Sequence, residues 1–299
     1  MKSESMNIGV LGNHDLATML RSRTSQLGML PGVATQALEL MRDPECSIRD
    51  FARIVERDVK LAVDVLSTAN SSIYGFDKPV TSFEEAVFRL GFRQCKNLIL
   101  ASCFSTLMQE IKLEQQWIRD VLWKHSTLTA ILGVHLNRTL SLGFAGEEYT
   151  AGLLHDFGRI LLAVLLPNDF STFDPLDFDE SDDVVARETS LIGTNHAELA
   201  SWYAVDNRLP DELTTAIRYH HHPEAAPSNM RLTALVAVAD HLGNYLQRGG
   251  IPSDYEIEST PHLKLLDASG DNRVASSFTE VVHSLMEQAV EDTENLLMP

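Results

Sequence analysis

His125, the adjacent pair His155 and Asp156, His196, the adjacent pair His220 and His221, and Asp240 are polar groups that interrupt apolar stretches in one half of a 299-residue chain. A single histidine on an apolar helix face is most often a core residue with its own hydrogen-bond partner. Taken together, these imidazoles and carboxylates would each need a separate partner, whereas one shared partner serves them all. Imidazole nitrogen and carboxylate oxygen are ligands of zinc, iron, manganese and similar divalent ions. A cation within reach also offsets the cost of burying the Asp156 carboxylate. Neighbouring side chains on a helix point about 100° apart, so His155 and Asp156 can both reach an ion between them, and the two oxygens of Asp156 can bridge two ions. Arg159, three residues on, sets a guanidinium beside that pair, able to stabilise developing negative charge.

The elements that must position these groups read as helices. Ala151 to Pro167, AGLLHDFGRILLAVLLP, is an almost continuous apolar run, and one central helix is expected over about 148–166. Ile118, Val121, Leu122, Leu128, Leu132 and Leu136 surround His125 at helical spacing. Asn195 with Glu198 forms a capping box that sets His196 in a first turn. Leu209-Pro210-Asp211-Glu212 starts a helix that closes at His220-His221-His222-Pro223. Ser228 is expected to cap an apolar helix, Leu232 to Leu246, that carries Asp240. Between the central helix and His196, residues 168–188 hold six Asp and a Pro and read as a solvated surface loop.

The first half reads as short helices joined by tight turns: Val33, Ala37, Leu40 and Met41 before Asp43-Pro44, a box at Ser47 and Asp50, a cap at Asp58, and a box at Ser82 to Glu85. No convincing alternating strand pattern is present. The fold class is therefore all-α: an N-terminal helical bundle followed by a second helical domain. The expected organisation is a leader over 1–15, a helical subdomain over 16–114, a metal-binding helical subdomain over 115–248, and a C-terminal extension over 249–299. That extension holds an amphipathic helix with Ser277 and Glu280 at its start, free to pack on the domain or on a partner.

Leu30-Pro31, Ile54 to Asp58, LSTANSS at 66–72, Tyr74-Gly75 and SFEEAVFRLG at 82–91 resemble the HDOD family, an output domain related to the HD metal-dependent phosphohydrolases. The resemblance covers roughly residues 21 to 245 and implies an HD-like second half. In it His125, His155-Asp156 and Asp240 match the first His, the HD pair and the last Asp of the HD superfamily. His196 and His220-His221 look like the additional ligands of the dinuclear HD-GYP branch. The resemblance thus implies a complete two-ion set, with iron the first choice and zinc or manganese next. Three positions depart from the catalytic relatives: Arg159 replaces a lysine, no GYP tripeptide follows the histidine pair, and Val121 stands where trinuclear forms have Glu.

Composition narrows the function. The 24 Lys+Arg and 42 Asp+Glu give a net charge of -18, which opposes binding to nucleic acid or to an anionic membrane. The start, MKSESMNIGVLG, lacks the pattern of a secretory signal, and Cys46, Cys95 and Cys103 have no C-x-x-C spacing, so a cytoplasmic location is expected. No P-loop, nucleophile elbow or dinucleotide fingerprint is present. His14, His135, His222, His241, His262 and His283 are left as surface or structural. Two functions follow. One is a signalling module that retains its metal site and meets a protein partner or a small phosphorylated ligand. The other is a metal-dependent phosphohydrolase acting on a nucleotide or cyclic nucleotide.

Overall fold

The computed structural model describes residues 13–25, 36, 39, 47–71, 74, 78–179, 183–267 and 273–297. Among these residues the regular structure is all helical, with no strand. The expectations placed on Leu30-Pro31, Val33, Ala37, Leu40, Met41, Asp43-Pro44, Cys46, Ser72 and Gly75 lie outside the described residues.

The first half comprises α1 (Asn13–Thr24), α2 (Ile48–Val55), α3 (Val59–Ala69), α4 (Phe83–Leu90) and α5 (Phe92–Glu110). Local capping chemistry sets their starts. Asp58 accepts from the Leu61 amide at 3.1 Å, and Ser82 accepts from the Glu85 amide at 3.1 Å. Glu85 reaches back one residue further than the capping box requires, to the amide of Thr81 at 2.9 Å. Helices α2 to α5 pack on one another, whereas α1 buries Leu16 and Leu20 against helices of the second half. Cys95 and Cys103 are buried free thiols, and burial pushes both up to about 12.

The second half comprises α6 (Gln116–Thr139), α7 (Glu147–Leu154), α8 (Phe157–Leu165), α9 (Phe170–Phe173), α10 (Val184–Ile192), α11 (His196–Asp206), α12 (Asp211–Tyr219), α13 (Met230–Gln247) and α14 (Arg273–Leu297). Helix α6 is the axis, covered by α7, α13 and α14, and its stretch from His125 to Leu136 is buried without interruption. The halves are joined where α5 meets α7. There Glu147 is buried and takes Arg93, the Asn97 amide and the Ala145 N–H, while the Thr150 hydroxyl donates to the Asn97 carbonyl at 3.0 Å.

Four expectations change. The single helix over 148–166 is two helices, α7 and α8, broken at the His155-Asp156 pair. The break has a local cause: His155 Nδ1–H donates to the Gly152 carbonyl at 2.7 Å and so helps end α7 there, while Asp156 sits at φ -98 and ψ 10. The acidic stretch is no solvated loop, because Phe170, Phe173, Asp174, Phe178 and Glu188 are all buried. Ser228 does not cap α13; the capping position is Asn229, held at φ 51, and the Ser228 hydroxyl donates to Asp211 instead. The last helix is already under way at Arg273, which puts Ser277 and Glu280 inside it, and it packs on α6 by burying Phe278, Val282, Leu285 and Met286. His135 on α6 and Asp292 on α14 share a buried hydrogen bond of 2.9 Å across that seam.

Candidate metal centre

All seven expected donors converge, and they fall into two groups. Asp156, His196, His220 and His221 each offer one atom within 4.8 Å of the others, and His125, His155 and Asp240 do the same. The break between α7 and α8 is what turns the His-Asp pair toward both. Asp156 Oδ2 lies 3.7 Å from His125 Nε2 and 3.6 Å from His155 Nε2, whereas Oδ1 lies 3.4 Å from His196 Nε2 and 3.7 Å from His220 Nε2. One carboxylate therefore presents one oxygen to each group.

The imidazoles are held by their other nitrogen. His155 Nδ1–H binds the Gly152 carbonyl, and His220 Nδ1–H binds the Ile217 carbonyl at 2.8 Å, three residues back in each case. These bonds turn Nε2 of each ring toward the centre, and both Nε2 atoms are buried without a hydrogen-bond partner. His196 Nδ1–H binds Glu188 Oε2 at 2.8 Å, and its Nε2 lies 2.9 Å from His221 Nε2. Buried imidazole lone pairs aimed at buried carboxylates are the arrangement a divalent cation satisfies, so the residues present fit a metal.

In the metal-free chain the two carboxylates are balanced by the neighbouring imidazoles and Arg159. Burial opposes ionisation of Asp156, yet His155 and Arg159 hold its carboxyl well below the usual range; burial likewise opposes Asp240, and His155 and His125 hold it low. Burial would lower His155, but Asp156 and Asp240 raise it to about 9. Burial and the neighbouring His155 push His220 down to about 3, which keeps it a neutral donor.

Arg159 lines the cavity and commits three of its five N–H groups to carboxylates. Its Nε and NH2 each donate to Asp174 at 2.7 Å, and its NH1 donates to Asp156 at 2.8 Å. Phe178 lies beside it, with its ring 5.0 Å from the guanidinium carbon and 4.7 Å from the His125 ring. A cavity of about 440 Å³ opens over Asp156, His196, His220, His221 and Asp240, with Asp177, Asp179 and Asp183 on its acidic outer wall. His222, His241 and His262, left aside on sequence grounds, also line it. Asp174, Phe178 and Glu188 escaped the sequence reading because they sit in an acidic stretch. The overlooked signal was the aromatic content of that stretch, Phe170, Phe173 and Phe178, which a solvated loop has no reason to keep.

Fold and site together define an all-helical protein with a buried cluster of His and Asp side chains able to take a metal. A family model for the HDOD domain matches residues 27–223, and the chain belongs to the HDOD family. It is 25% identical over 227 residues to an uncharacterised protein of Treponema pallidum (strain Nichols), and it covers 44% of that protein's length. An HDOD domain protein of Geobacter sulfurreducens is similar in structure, with a TM-score of 0.69 and 24% identity over 94% of this chain and 99% of that one. A Shewanella amazonensis protein named as a candidate phosphohydrolase has a TM-score of 0.68 and 23% identity over 91% of this chain and 97% of that one. These structural likenesses establish the fold.

Proposed function

We propose that this chain is a regulatory HDOD protein that carries a dinuclear metal centre in its HD-like half. The observation that supports it most is Asp156, whose two oxygens face two separate sets of imidazoles. On this reading His125, His155 and Asp240 would hold an inner ion, His196, His220 and His221 would hold an outer one, and Asp156 would serve both. Iron is the preferred metal for a histidine-rich, carboxylate-bridged pair, with zinc or manganese next. His125 and His155 lie deep, while Asp240 and the outer group border the cavity. A protein partner or a small phosphorylated ligand would be sensed from that side. No helix among the described residues is long and apolar enough to cross a membrane, which is compatible with a cytoplasmic role.

The regulatory reading is favoured over the hydrolytic one by Arg159. Its Nε, NH1 and NH2 all donate to buried carboxylates, so its charge balances Asp174 and Asp156 before any phosphate arrives. The hydrolytic reading keeps one observation in its favour, the open cavity directly over the donors. A bound divalent pair supplies Lewis acidity toward phosphoryl oxygens and acidifies water. In either reading Arg159 and Asp174 orient the Asp156 carboxylate, and the neutral His220 donates its lone pair.

Elemental analysis of protein purified without chelator tests the proposal. Two ions per chain are expected, and both are lost in Asp156→Ala; a metal content near zero overturns it. A panel of phosphomonoesters, cyclic nucleotides and cyclic dinucleotides then separates the two roles. Absence of turnover from the metal-replete chain is expected, and metal-dependent turnover abolished in Asp156→Ala transfers the assignment to a phosphohydrolase.

A further inference from the structure

The two groups of donors are not held alike. In the inner group His155 is oriented by a neutral backbone carbonyl, and so is His220 in the outer group. His196 differs: a carboxylate, Glu188, takes both its Nδ1–H at 2.8 Å and its backbone N–H at 2.7 Å. Glu188 is wholly buried, and its other oxygen, Oε1, has no hydrogen-bond partner. A buried carboxylate that spends one oxygen on a single residue is costly unless positive charge lies close by. Across the imidazole from it, His196 Nε2 faces Asp156 and His221, where the outer cation would sit.

The geometry points to Glu188 as the positioning residue that sets occupancy of the outer, cavity-facing ion position. The inference rests on the dinuclear reading above. Glu188 fixes His196 as the tautomer with its lone pair on Nε2, and its negative charge makes that lone pair a stronger donor. Gly158 completes the clamp, because a Cβ at that position would overlap the His196 carbonyl and push α11 off α8. The inner group is held differently: behind the His155 ring stands the Gly152 carbonyl, and the His125 Nδ1 is buried without a hydrogen-bond partner. The inner position is therefore independent of Glu188, and the chain can exist with one ion or two according to how firmly α10 delivers that carboxylate.

Titration of the metal-stripped full chain with Zn2+ in a calorimeter tests this. Wild type should show two binding events. Glu188→Gln is isosteric and removes the charge; it should leave the tighter event unchanged and weaken the other by about 10- to 100-fold. In a His196→Ala background the same substitution should change nothing further, which a merely structural tether would not produce. If Glu188→Gln does not fold to the wild-type helix content, Glu188→Asp, which keeps the charge but shortens its reach, carries the same expectation of one weakened event. Two events of wild-type affinity in the variant, or equal weakening of both, overturn the role of Glu188. A single event in wild type overturns the dinuclear reading itself, so the two failures are distinguishable.

Discussion

Arg159 grips Asp174 through two parallel hydrogen bonds, Nε to Oδ2 and NH2 to Oδ1, both 2.7 Å long. This fork ties the acidic segment after α9 to the first turn of α8. It also leaves NH1 for Asp156, so the segment and the His/Asp cluster share one guanidinium. Removing one partner of a buried pair strands the other charge, which costs about 3–5 kcal/mol. Asp174→Ala should therefore lower unfolding stability by about 3 kcal/mol in urea, and Asp174→Asn, which keeps an acceptor oxygen, by less. Equal stability of Asp174→Ala and wild type would show that the pair contributes nothing.

Phe178 covers His125 and Arg159 at the cost of backbone strain, since its φ is 54. Truncating a buried phenylalanine costs about 3–5 kcal/mol. Glycine, unlike alanine, adopts this left-handed conformation without penalty. Phe178→Gly should therefore be no less stable than Phe178→Ala, the reverse of the order expected at an ordinary position, and paired denaturation curves measure the difference.

Gly158→Ala opposes two effects. Alanine favours a helix by about 1 kcal/mol over glycine. Here, however, the added methyl meets backbone atoms of His196 that cannot rotate away, and overpacking of this kind costs about 1–3 kcal/mol. The clash should win, lowering the melting temperature. Gly133→Ala is the control, since its Cβ would meet the Glu148 carbonyl oxygen at 3.3 Å and needs only a small shift.

The His135–Asp292 seam predicts a pH dependence far from the metal donors. Burial pushes His135 below its ordinary 6.5, even though Asp292 pulls the other way. The unfolded chain thus takes up the proton first as the pH falls. Stability from this group is complete above 6.5 and declines as the pH drops through the folded value. His135→Gln keeps an N–H aimed at Asp292 and cannot titrate, so its stability should fall less between about pH 7 and pH 5. Parallel slopes for the two proteins would refute the assignment.

That these seven side chains converge was legible in sequence for a physical reason. Each interrupts an apolar stretch, where an unpaired polar group is too costly to be accidental. Asp174 and Glu188 were invisible for the complementary reason. They stand among Asp177, Asp179 and Asp183, and acids among acids look solvated. Only tertiary structure separates the buried pair from its exposed neighbours. The break at His155-Asp156 was hidden by composition as well, because AGLLHDFGRILLAVLLP has the makings of a single buried helix. What divides it is a side chain competing for a backbone carbonyl, a local event that apolar periodicity does not register. The direction of the last helix was open because an amphipathic face states that it must be covered, not by what; the His135–Asp292 bond settles that.

Helix α13 lies beyond residue 223, where the family match ends, yet it carries Asp240 and packs on the helix that bears His125. A fragment trimmed to 27–223 would keep six of the donors and lose both the seventh and the wall behind the first. The centre is therefore not a portable module that can be transplanted at the family's borders. Anyone grafting it onto another protein has to carry the chain through to Gln247, the last residue of α13.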